Sequence, residues 1–256
     1  MRIVVKVGTS TLAYQSGRLN IRHIEALSKT VSDLKNAGHE IIFVSSGAIG
    51  MGVGKLGLSE RPSDMPTKQA AAAVGQCELM YTYDKLFSEY NHTVAQILLT
   101  GEDMENPARH ENFINTVQRL LQLQVLPIVN ENDTVSTSEI AVGDNDTLAA
   151  LVAAGVKAEL LILLTDIDGL YTADPHKDPT ARLIPTVSKI TDEIRAVAGG
   201  NGSKLSTGGM ATKLQAAEIA TKSGADMVIA NGSEPELLYS IVEGKPVGTR
   251  FLKSQK

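Results

Sequence analysis

Tryptophan is absent from the 256-residue sequence, and aromatic residues together make up only 4% of it. Proteins that bind single-stranded nucleic acid stack bases on exposed aromatic rings, so this composition argues against that function. Positive charge is also scarce, because 24 lysines and arginines face 29 aspartates and glutamates, for a net charge of −5 and a pI of about 5.6. Such a chain has no basic field that would attract nucleic acid or an anionic membrane.

Cysteine occurs once, as Cys77, which excludes an internal disulfide and is typical of a reducing cytosol. Cys77 is in line with Val74 and Tyr81 at helical spacing, so we predict a buried structural thiol rather than a nucleophile. The five histidines are scattered, with no spacing that would build a metal site. No apolar run is long enough to cross a bilayer, and the first residues lack the layout of a signal peptide. We therefore expect a cytoplasmic location.

What the sequence contains instead is a regular alternation of short apolar runs and helical segments. The predicted strands are residues 2–7, 40–46, 93–99, 124–129, 159–165 and 225–230, and the predicted helices are residues 21–37, 67–90, 107–123, 145–155 and 210–223. Strands that are apolar on both faces and alternate with helices form a mainly parallel sheet that is covered on both sides. Function is expected in the longer predicted loops, at 100–108, 130–144 and 165–209.

Polar residues follow several of the predicted strands immediately. Glycine and hydroxyl residues follow strand 2–7, an Asn-Glu-Asn-Asp run follows strand 124–129, and Asp166 follows strand 159–165. In an open parallel sheet, ligands bind beyond the C-terminal ends of the strands. The pattern therefore predicts a site along this edge of the sheet.

The segment KVGTS, residues 6–10, places Lys6 inside the first strand, directly before a glycine turn. A lysine in a buried strand is unfavourable unless an anion accompanies it. Two interpretations remain open at this point. The strand could lie at the edge of the sheet with Lys6 in solvent, or Lys6 could face a phosphate, and we favour the second.

A glycine-rich segment, SSGAIGMGVGKLG, follows the second strand at residues 45–57. Its letters GVGKLG fit a dinucleotide fingerprint, but they begin well past the strand and do not open a helix. A Walker loop is excluded because Lys55 is followed by leucine. We predict that residues 45–50 form a helix N-terminus or an anion-binding nest, and that residues 51–60 form a flexible loop.

The segment STGGMATKLQAAEIA, residues 206–220, carries the strongest single signal. Two glycines allow the backbone to approach a ligand closely, and the helix that follows offers free N–H groups and the positive end of its dipole. Thr212 and Lys213 lie about one turn inside this helix, where the lysine can reach a terminal phosphate. An ordinary capped helix would leave both glycines and the early lysine unexplained.

Two further segments have a structural and a functional interpretation. Asp144, Asn145 and Asp146 stand at the head of helix 145–155, where they could cap the helix or hold a cationic group. The segment TDIDGLYTADP, residues 165–175, could be an ordinary loop or one wall of a nucleotide site.

The collected residues are those that phosphoryl transfer needs, namely lysines on glycine turns, a helix N-terminus, carboxylates and amides. That reaction depends mainly on positioning and on neutralising charge. The sequence shows no Ser–His–Asp or Cys–His pairing and no His-Arg-Asp motif of a protein kinase.

These motifs resemble those of the amino-acid kinase family, and most closely the branch that acts on glutamate. The segments that carry the match are KVGTS (6–10), SSGAIGMG (45–52), KQAAAAVGQ (68–76), LLTGEDM (98–104), PIVNENDTV (127–135), EIAVGDNDTLAALVA (139–153), LLTDIDGLYTADP (163–175), STGGMATKLQAAEIA (206–220) and VGTRF (247–251). They occur in order over nearly the whole chain. NENDTV and VGDNDTL are specific to the glutamate branch, whereas GGMATK is shared more widely.

The resemblance implies an α/β fold, a three-layer αβα sandwich with a mainly parallel central sheet. It implies a single kinase domain over residues 1–256, with a lobe of roughly 1–155 for the amino acid and a lobe of roughly 156–256 for the nucleotide. The implied reaction transfers phosphate from ATP to the γ-carboxylate of L-glutamate, giving L-glutamyl 5-phosphate and ADP in the first step of proline biosynthesis. Mg²⁺ would be carried largely by the phosphates.

The resemblance also implies a role for each site residue. Lys6 and Lys213 correspond to the lysines that stabilise the transferring phosphoryl group, and Asp146 to the aspartate that orients them. Ser46, Asp133 and Asn145 correspond to residues that hold glutamate. The implied nucleotide site consists of Lys6, Thr165, Asp166, Thr207, Gly208, Gly209, Met210, Ala211, Thr212 and Lys213.

The sequence departs from the family pattern in two places. Ser206 stands where many relatives have glycine, which we expect to stiffen the nucleotide loop without abolishing binding. Many relatives also continue into a C-terminal PUA domain, of an RNA-modification-enzyme type, and we expect that domain to be absent here, so properties that depend on it, including some assembly and regulation, do not follow from the resemblance. By resemblance we further expect feedback inhibition by proline, a homo-oligomer and a glutamyl-phosphate reductase as a partner. Helix 67–90 is one candidate interface, although packing within the monomer is the favoured interpretation.

Two alternatives stay open beside this interpretation. A kinase of the same fold that acts on N-acetylglutamate, aspartate, carbamate or a nucleoside monophosphate would share the lysines, but a carboxylate such as Asp133 suits a free α-ammonium group. A non-catalytic amino-acid sensor on a kinase scaffold is the second alternative. The presence of Lys6, Asp146 and Lys213 together speaks against it.

Overall fold

The computed structural model of the chain describes residues 1–14, 18–136, 145–175, 177–198 and 209–254. Within these residues the strands form one eight-stranded sheet. The strands are β1 (Arg2–Val7), β2 (Glu40–Val44), β3 (Val94–Leu99), β4 (Leu126–Glu131), β5 (Leu160–Thr165), β6 (Thr186–Val187), β7 (Asp226–Asn231) and β8 (Thr249–Phe251).

Neighbouring strands in the sheet follow the order β3-β4-β2-β1-β5-β7-β8-β6. Every pair is parallel except β7 and β8, which run antiparallel. Strand β1 lies in the middle, with Lys6 opposite Val44 of β2 and Leu163 of β5. An edge position for this strand is therefore wrong, and Lys6 belongs to the interior of the sheet.

Helices cover both faces of the sheet within the described part of the chain. They are α1 (Thr9–Leu12), α2 (Ile21–Asn36), α3 (Ala48–Leu56), α4 (Met65–Ser88), α5 (Gly101–Glu105), α6 (Pro107–Gln122), α7 (Asn145–Gly155), α8 (Asp192–Ala198), α9 (Met210–Ser223) and α10 (Leu237–Val242). One hydrophobic cluster joins one sheet face to α6, α7 and α9, and a second joins the other face to α2, α3, α4 and α10. The predicted three-layer α/β sandwich is confirmed.

The side chains of β1 alternate between the two faces of the sheet, and this alternation determines toward which helix layer Lys6 points. Ile3, Val5 and Val7 pack toward α2, α3 and α4, whereas Val4 packs in the cluster that contains α7 and α9. Successive side chains of a strand point to opposite faces, so Lys6 shares the face of Val4. Its stem is thereby directed toward the layer that contains α7 and α9.

Helices α3 and α4 approach each other closely because glycines lie where they meet. A Cβ atom at Gly52 would lie 1.8 Å from the carbonyl oxygen of Ala71, and one at Gly75 would lie 1.7 Å from that of Ala48. Helix α3 begins after Gly47, whose φ of 93° is in the left-handed region that favours glycine. The contact fixes the start of α3 directly beyond β2.

Several local predictions are wrong. Residues 51–56 are helical rather than a flexible loop, because their glycines pack against α4. Cys77 is exposed rather than buried, since it lies on the face of α4 that points away from the sheet, as does Tyr81 with 67% of its surface exposed. The predicted loops 100–108 and 165–209 contain helices α5 and α8 and the short strand β6.

None of the helices among the described residues is both long enough and apolar enough to span a membrane.

Candidate active site

The predicted site residues that the structure describes lie near the edge of the sheet where the central parallel strands end. Lys6 lies near the end of β1, Ser46 follows β2, and Thr165 ends β5. Helices α7 and α9 begin at the same edge with Asn145 and Met210. The fold therefore brings groups from distant parts of the chain together at this edge. In open parallel sheets, ligands bind at the same edge.

A buried carboxylate between two lysines forms the centre of this edge. Lys6 Nζ lies 2.5 Å from Asp146 Oδ1, and Lys213 Nζ lies 3.0 Å from Asp146 Oδ2. The three side chains are almost fully buried, with Asp146 only 1% exposed. Burial by itself would raise the pKa of Asp146, but the charges of Lys6 and Lys213 and their hydrogen bonds lower it below its ordinary value.

This cluster brings two positively charged groups to the edge of the sheet. The ammonium groups of Lys6 and Lys213 both contact Asp146. Charges in a buried position interact strongly with an anion, because their surroundings screen them little. The cluster is thus suited to an anion that enters from the open edge of the sheet, such as a phosphoryl group.

Asn145 lies beside this cluster at the first position of α7. Its Nδ2 donates toward the carbonyl oxygen of Ser45 at 2.8 Å, toward Ser46 Oγ at 2.8 Å and toward Asn130 Oδ1 at 3.0 Å. Its Oδ1 is buried, yet no donor among the described residues bonds to it. Since buried amide oxygens are rarely left without a donor, Asn145 Oδ1 is available to a ligand.

Asp133, just beyond β4, is a second carboxylate without a hydrogen bond or ion pair within the described residues. Burial and the neighbouring charge of Glu131 raise the pKa of Asp133 to about 6, and the charge of Arg61 partly opposes them. A carboxylate held in this way gains from a cation that arrives with a ligand.

The nucleotide side of the edge begins at the N-terminus of α9. Gly209 is the N-cap and, as a glycine, has no side chain that could accept from the N–H groups of the first turn. Thr212 Oγ1 donates to the carbonyl oxygen of Gly209 at 2.7 Å. The predicted positions of Thr212 and Lys213 inside the first turns are confirmed, whereas Thr207 and Gly208 lie outside the described residues.

The loops after β5 and β7 are tied together at the same edge. Thr165 Oγ1 donates to Asp166 Oδ1 at 3.1 Å, and the N–H of Gly232 donates to the carbonyl oxygen of Thr165 at 2.7 Å. Asp168 accepts from Asn231 Nδ2 at 2.8 Å. Asp166 itself is exposed, so it borders the edge rather than the buried cluster.

Two residues near the site have roles that were not predicted from the sequence. Asn130, at 1% exposure, and Gln76, on α4, form a buried hydrogen bond behind Asn145. Asn130 follows a predicted strand, which is a signal that could have identified it. Gln76 ends the segment KQAAAAVGQ, which carries the family resemblance, but nothing in that segment indicates its partner, which is 54 residues away in sequence.

Within the described residues no group of three histidine, cysteine or acidic side chains could hold a metal ion. The carboxylate at the centre of the site, Asp146, is engaged by both lysines. The donor set therefore fits a divalent cation that is carried by phosphate oxygens better than one in a cage of protein ligands.

The family model described as the amino acid kinase family matches residues 1–231. A glutamate 5-kinase of Clostridium tetani is 58% identical over 249 residues, which cover 97% of this chain and 93% of that protein. A glutamate 5-kinase of Clostridium acetobutylicum is 54% identical over 255 residues, which cover 100% of this chain and 96% of that protein.

Solved structures are similar at the level of the fold. The carbamate kinase of Giardia lamblia bound to AMP-PNP superposes with a TM-score of 0.69 at 14% identity, over 99% of this chain and 98% of that one. At this identity the likeness shows the sandwich architecture alone.

Proposed function

Because the chain belongs to the amino acid kinase family, we propose that its active-site edge transfers the γ-phosphoryl group of ATP to the side-chain carboxylate of L-glutamate. The chain is a phosphotransferase with a carboxyl acceptor, and its product is L-glutamyl 5-phosphate, formed in the first step of proline biosynthesis. The observation that carries the proposal is the buried Lys6–Asp146–Lys213 cluster next to Asn145 and Ser46.

The nucleophile explains why no general base is needed. A glutamate carboxylate has an ordinary pKa of about 4.3 and is ionised near neutrality. Its oxygen forms a bond to the γ-phosphorus while the bond to the β,γ-bridging oxygen breaks, and ADP leaves with that electron pair. The barrier arises from bringing two anions together, so Lys6 and Lys213 stabilise the charge that develops on the transferring group.

Asp146 acts on the reaction through the lysines. Its carboxylate contacts both ammonium groups and so holds them close together, where both can act on the transferring phosphoryl group. Mg²⁺, when bound with ATP, supplies further neutralisation of phosphate charge.

Ser46, Asn145 and Asp133 are proposed to hold glutamate. The free Oδ1 of Asn145 and the carboxylate of Asp133 both suit the α-ammonium group, which a glutamate substrate presents and an acetylated amine does not. This supports glutamate over N-acetylglutamate as the acceptor.

Thr165, Asp166 and the segment 207–213 are proposed to hold the nucleotide. The open N-terminus of α9 supports this assignment, because its N–H groups and dipole favour phosphate. The amino acid would then be bound by the lobe of roughly 1–155, and ATP by the lobe of roughly 156–256.

Trapping of the product tests the function directly. We expect glutamate-dependent ADP release, and a hydroxamate when hydroxylamine captures the acyl phosphate. A panel of glutamate, N-acetylglutamate, aspartate, carbamate and nucleoside monophosphates identifies the acceptor. Glutamate binding without ADP formation would instead support an amino-acid sensor.

The remaining partner assignments are also proposals. They comprise inhibition by proline, transfer of the labile product to a glutamyl-phosphate reductase, a cytoplasmic location and a homo-oligomer. The exposed face of α4, which includes Ala73, Cys77 and Tyr81, supports this helix as a candidate interface. Light scattering tests the assembly.

A further inference from the structure

The orientation of the Asn145 amide is set by two backbone groups. The carbonyl oxygen of Ser45 can only accept, so the atom of Asn145 that lies 2.8 Å from it must be the nitrogen. The N–H of Glu131 can only donate, and it lies 2.9 Å from an atom of the Asn130 amide, which must be the oxygen. That oxygen in turn faces Asn145 Nδ2 at 3.0 Å.

Once Asn130 presents its oxygen to Asn145, its nitrogen must find an acceptor elsewhere. Asn130 is 1% exposed, so water does not reach it, and a buried donor without a partner is unfavourable. The acceptor is Gln76 Oε1, at 2.9 Å from Asn130 Nδ2. Gln76 is itself buried on α4, at 8% exposure.

We propose that Gln76 is a positioning and specificity-determining residue, which acts through Asn130 to keep Asn145 Oδ1 turned toward the substrate. Asn145 Nδ2 donates to Asn130 Oδ1, and Asn130 Nδ2 donates to Gln76 Oε1. With every nitrogen of this relay turned inward, the amide oxygen of Asn145 is the atom that faces the site.

The relay determines which acceptors the enzyme prefers, and this inference rests on the proposed function. An amide oxygen accepts from a protonated amine, whereas an amide nitrogen would repel it. If Gln76 no longer accepts from Asn130, the buried Asn130 Nδ2 loses its acceptor. The Asn130 side chain then shifts, and its hydrogen bond with Asn145 Nδ2 weakens. Discrimination in favour of substrates with an α-ammonium group then declines.

Glutarate isolates this effect, because it is glutamate without the α-amino group. We compare kcat/KM for glutamate and glutarate by hydroxamate formation in the wild-type chain, Gln76→Met and Gln76→Glu. Gln76→Met removes the acceptor at similar volume, and the glutamate-to-glutarate ratio is expected to fall about tenfold, mainly through KM for glutamate. Gln76→Glu keeps an acceptor oxygen and is expected to retain the ratio within about twofold.

Gln122→Met is the matched control, since it makes the same change at an exposed position of α6. If Gln76→Met does not fold, Asn130→Leu interrupts the relay one step nearer the site, with the same expected fall. An unchanged ratio in whichever variant folds, or an equal loss for both substrates, overturns the inference. Absence of glutamate phosphorylation by the wild-type chain would instead refute the proposed function.

Discussion

Asp146 contacts two lysines that are far from it in sequence on either side, one on the central strand β1 and one on α9. Its role is electrostatic, because a neutral side chain of the same shape would remove the negative charge that both ammonium groups contact. Each of its two oxygens contacts one of the ammonium groups. Activity should therefore depend on its charge more than on its volume.

Asp146→Asn tests this dependence while it keeps the side-chain volume. We expect kcat to fall by about 10²–10³, a loss typical of removing one electrostatic contribution to the transition state. The kcat of Lys213→Ala should fall by at least the same factor. Steady-state ADP release measures both, with circular dichroism to establish folding.

The control for this change is Asp192→Asn, which alters a fully exposed aspartate on α8. It should leave kcat within about twofold. Near-normal turnover in a folded Asp146 or Lys213 variant would remove that residue from the proposed catalytic role.

The raised pKa of Asp133 predicts that glutamate binding depends on pH. Its pKa of about 6 means that the carboxylate becomes neutral as the pH falls below that value. KM for glutamate should then rise by up to about tenfold per pH unit, because a neutral carboxyl no longer pairs with the ammonium group. Initial rates between pH 5 and about 8 measure this trend, and Asp133→Asn should remove it. A pH-independent KM in the wild-type chain would contradict the assignment.

The same raised pKa has a consequence for stability. A carboxyl group whose pKa is 3.8 when unfolded and about 6 when folded binds protons more tightly in the folded chain. Its contribution is therefore favourable at low pH and is lost as the pH rises from about 4 to about 6. Asp133→Asn should accordingly stabilise the chain at pH 7 by about 1–3 kcal/mol, measured by urea unfolding, although it weakens glutamate binding. Destabilisation would show that Asp133 has a structural partner.

At the scale of elements, the contact between α3 and α4 links the start of α3 to the relay behind the site. Gly52 and Gly75 bring the two helices together, Ser46 lies just before α3, and Gln76 follows Gly75 on α4. If these helices moved apart, Ser46 on the substrate side and Gln76 in the relay would both be displaced. The packing of this pair is thus a condition for the geometry of Asn145.

Gly75→Ala should destabilise the chain by about 3 kcal/mol or more, because the added methyl group would overlap the carbonyl oxygen of Ala48. Gly54→Ala, at an exposed position of α3, is the matched control and should be neutral or stabilising by up to about 1 kcal/mol. Urea unfolding compares the two. Equal stability of both variants would show that the close approach is not required.

At the scale of the whole molecule, one continuous sheet carries both proposed lobes. Strands β1 and β5 are neighbours in this sheet, so the proposed amino-acid side and the proposed nucleotide side belong to one continuous sheet. Each ligand should therefore stabilise the entire fold, even though it contacts only one lobe.

Thermal unfolding with ligands tests the assignment of the lobes. A ligand at 100 times its Kd stabilises by about 2.7 kcal/mol, which for a chain of this length corresponds to a rise in Tm of about 5–10 °C. Lys213→Ala should lose most of the rise caused by Mg²⁺ and AMP-PNP and keep that caused by glutamate. Ser46→Ala should show the reverse. The opposite pattern would contradict the division at about residue 155.

The sequence by itself determined the layers and the edge of the sheet at which the proposed site residues lie. Continuous apolar strands that alternate with helices require a parallel sheet covered on both faces, and the strand ends then predict where Lys6 and Asp166 lie. A buried lysine before a glycine turn, and another in the first turns of a helix, are local patterns. They can be recognised without knowledge of any distant contact.

Only the tertiary structure decided what these residues touch. The pairing of Asp146 with both lysines, the helical state of residues 51–56 and the outward face of Cys77 all depend on which element packs against which. Gln76 is the clearest case, because the segment KQAAAAVGQ that contains it does not indicate which residue it contacts. Its role depends on the polarity of Asn130 and Asn145, and that polarity is set by backbone groups that folding brings within hydrogen-bond distance.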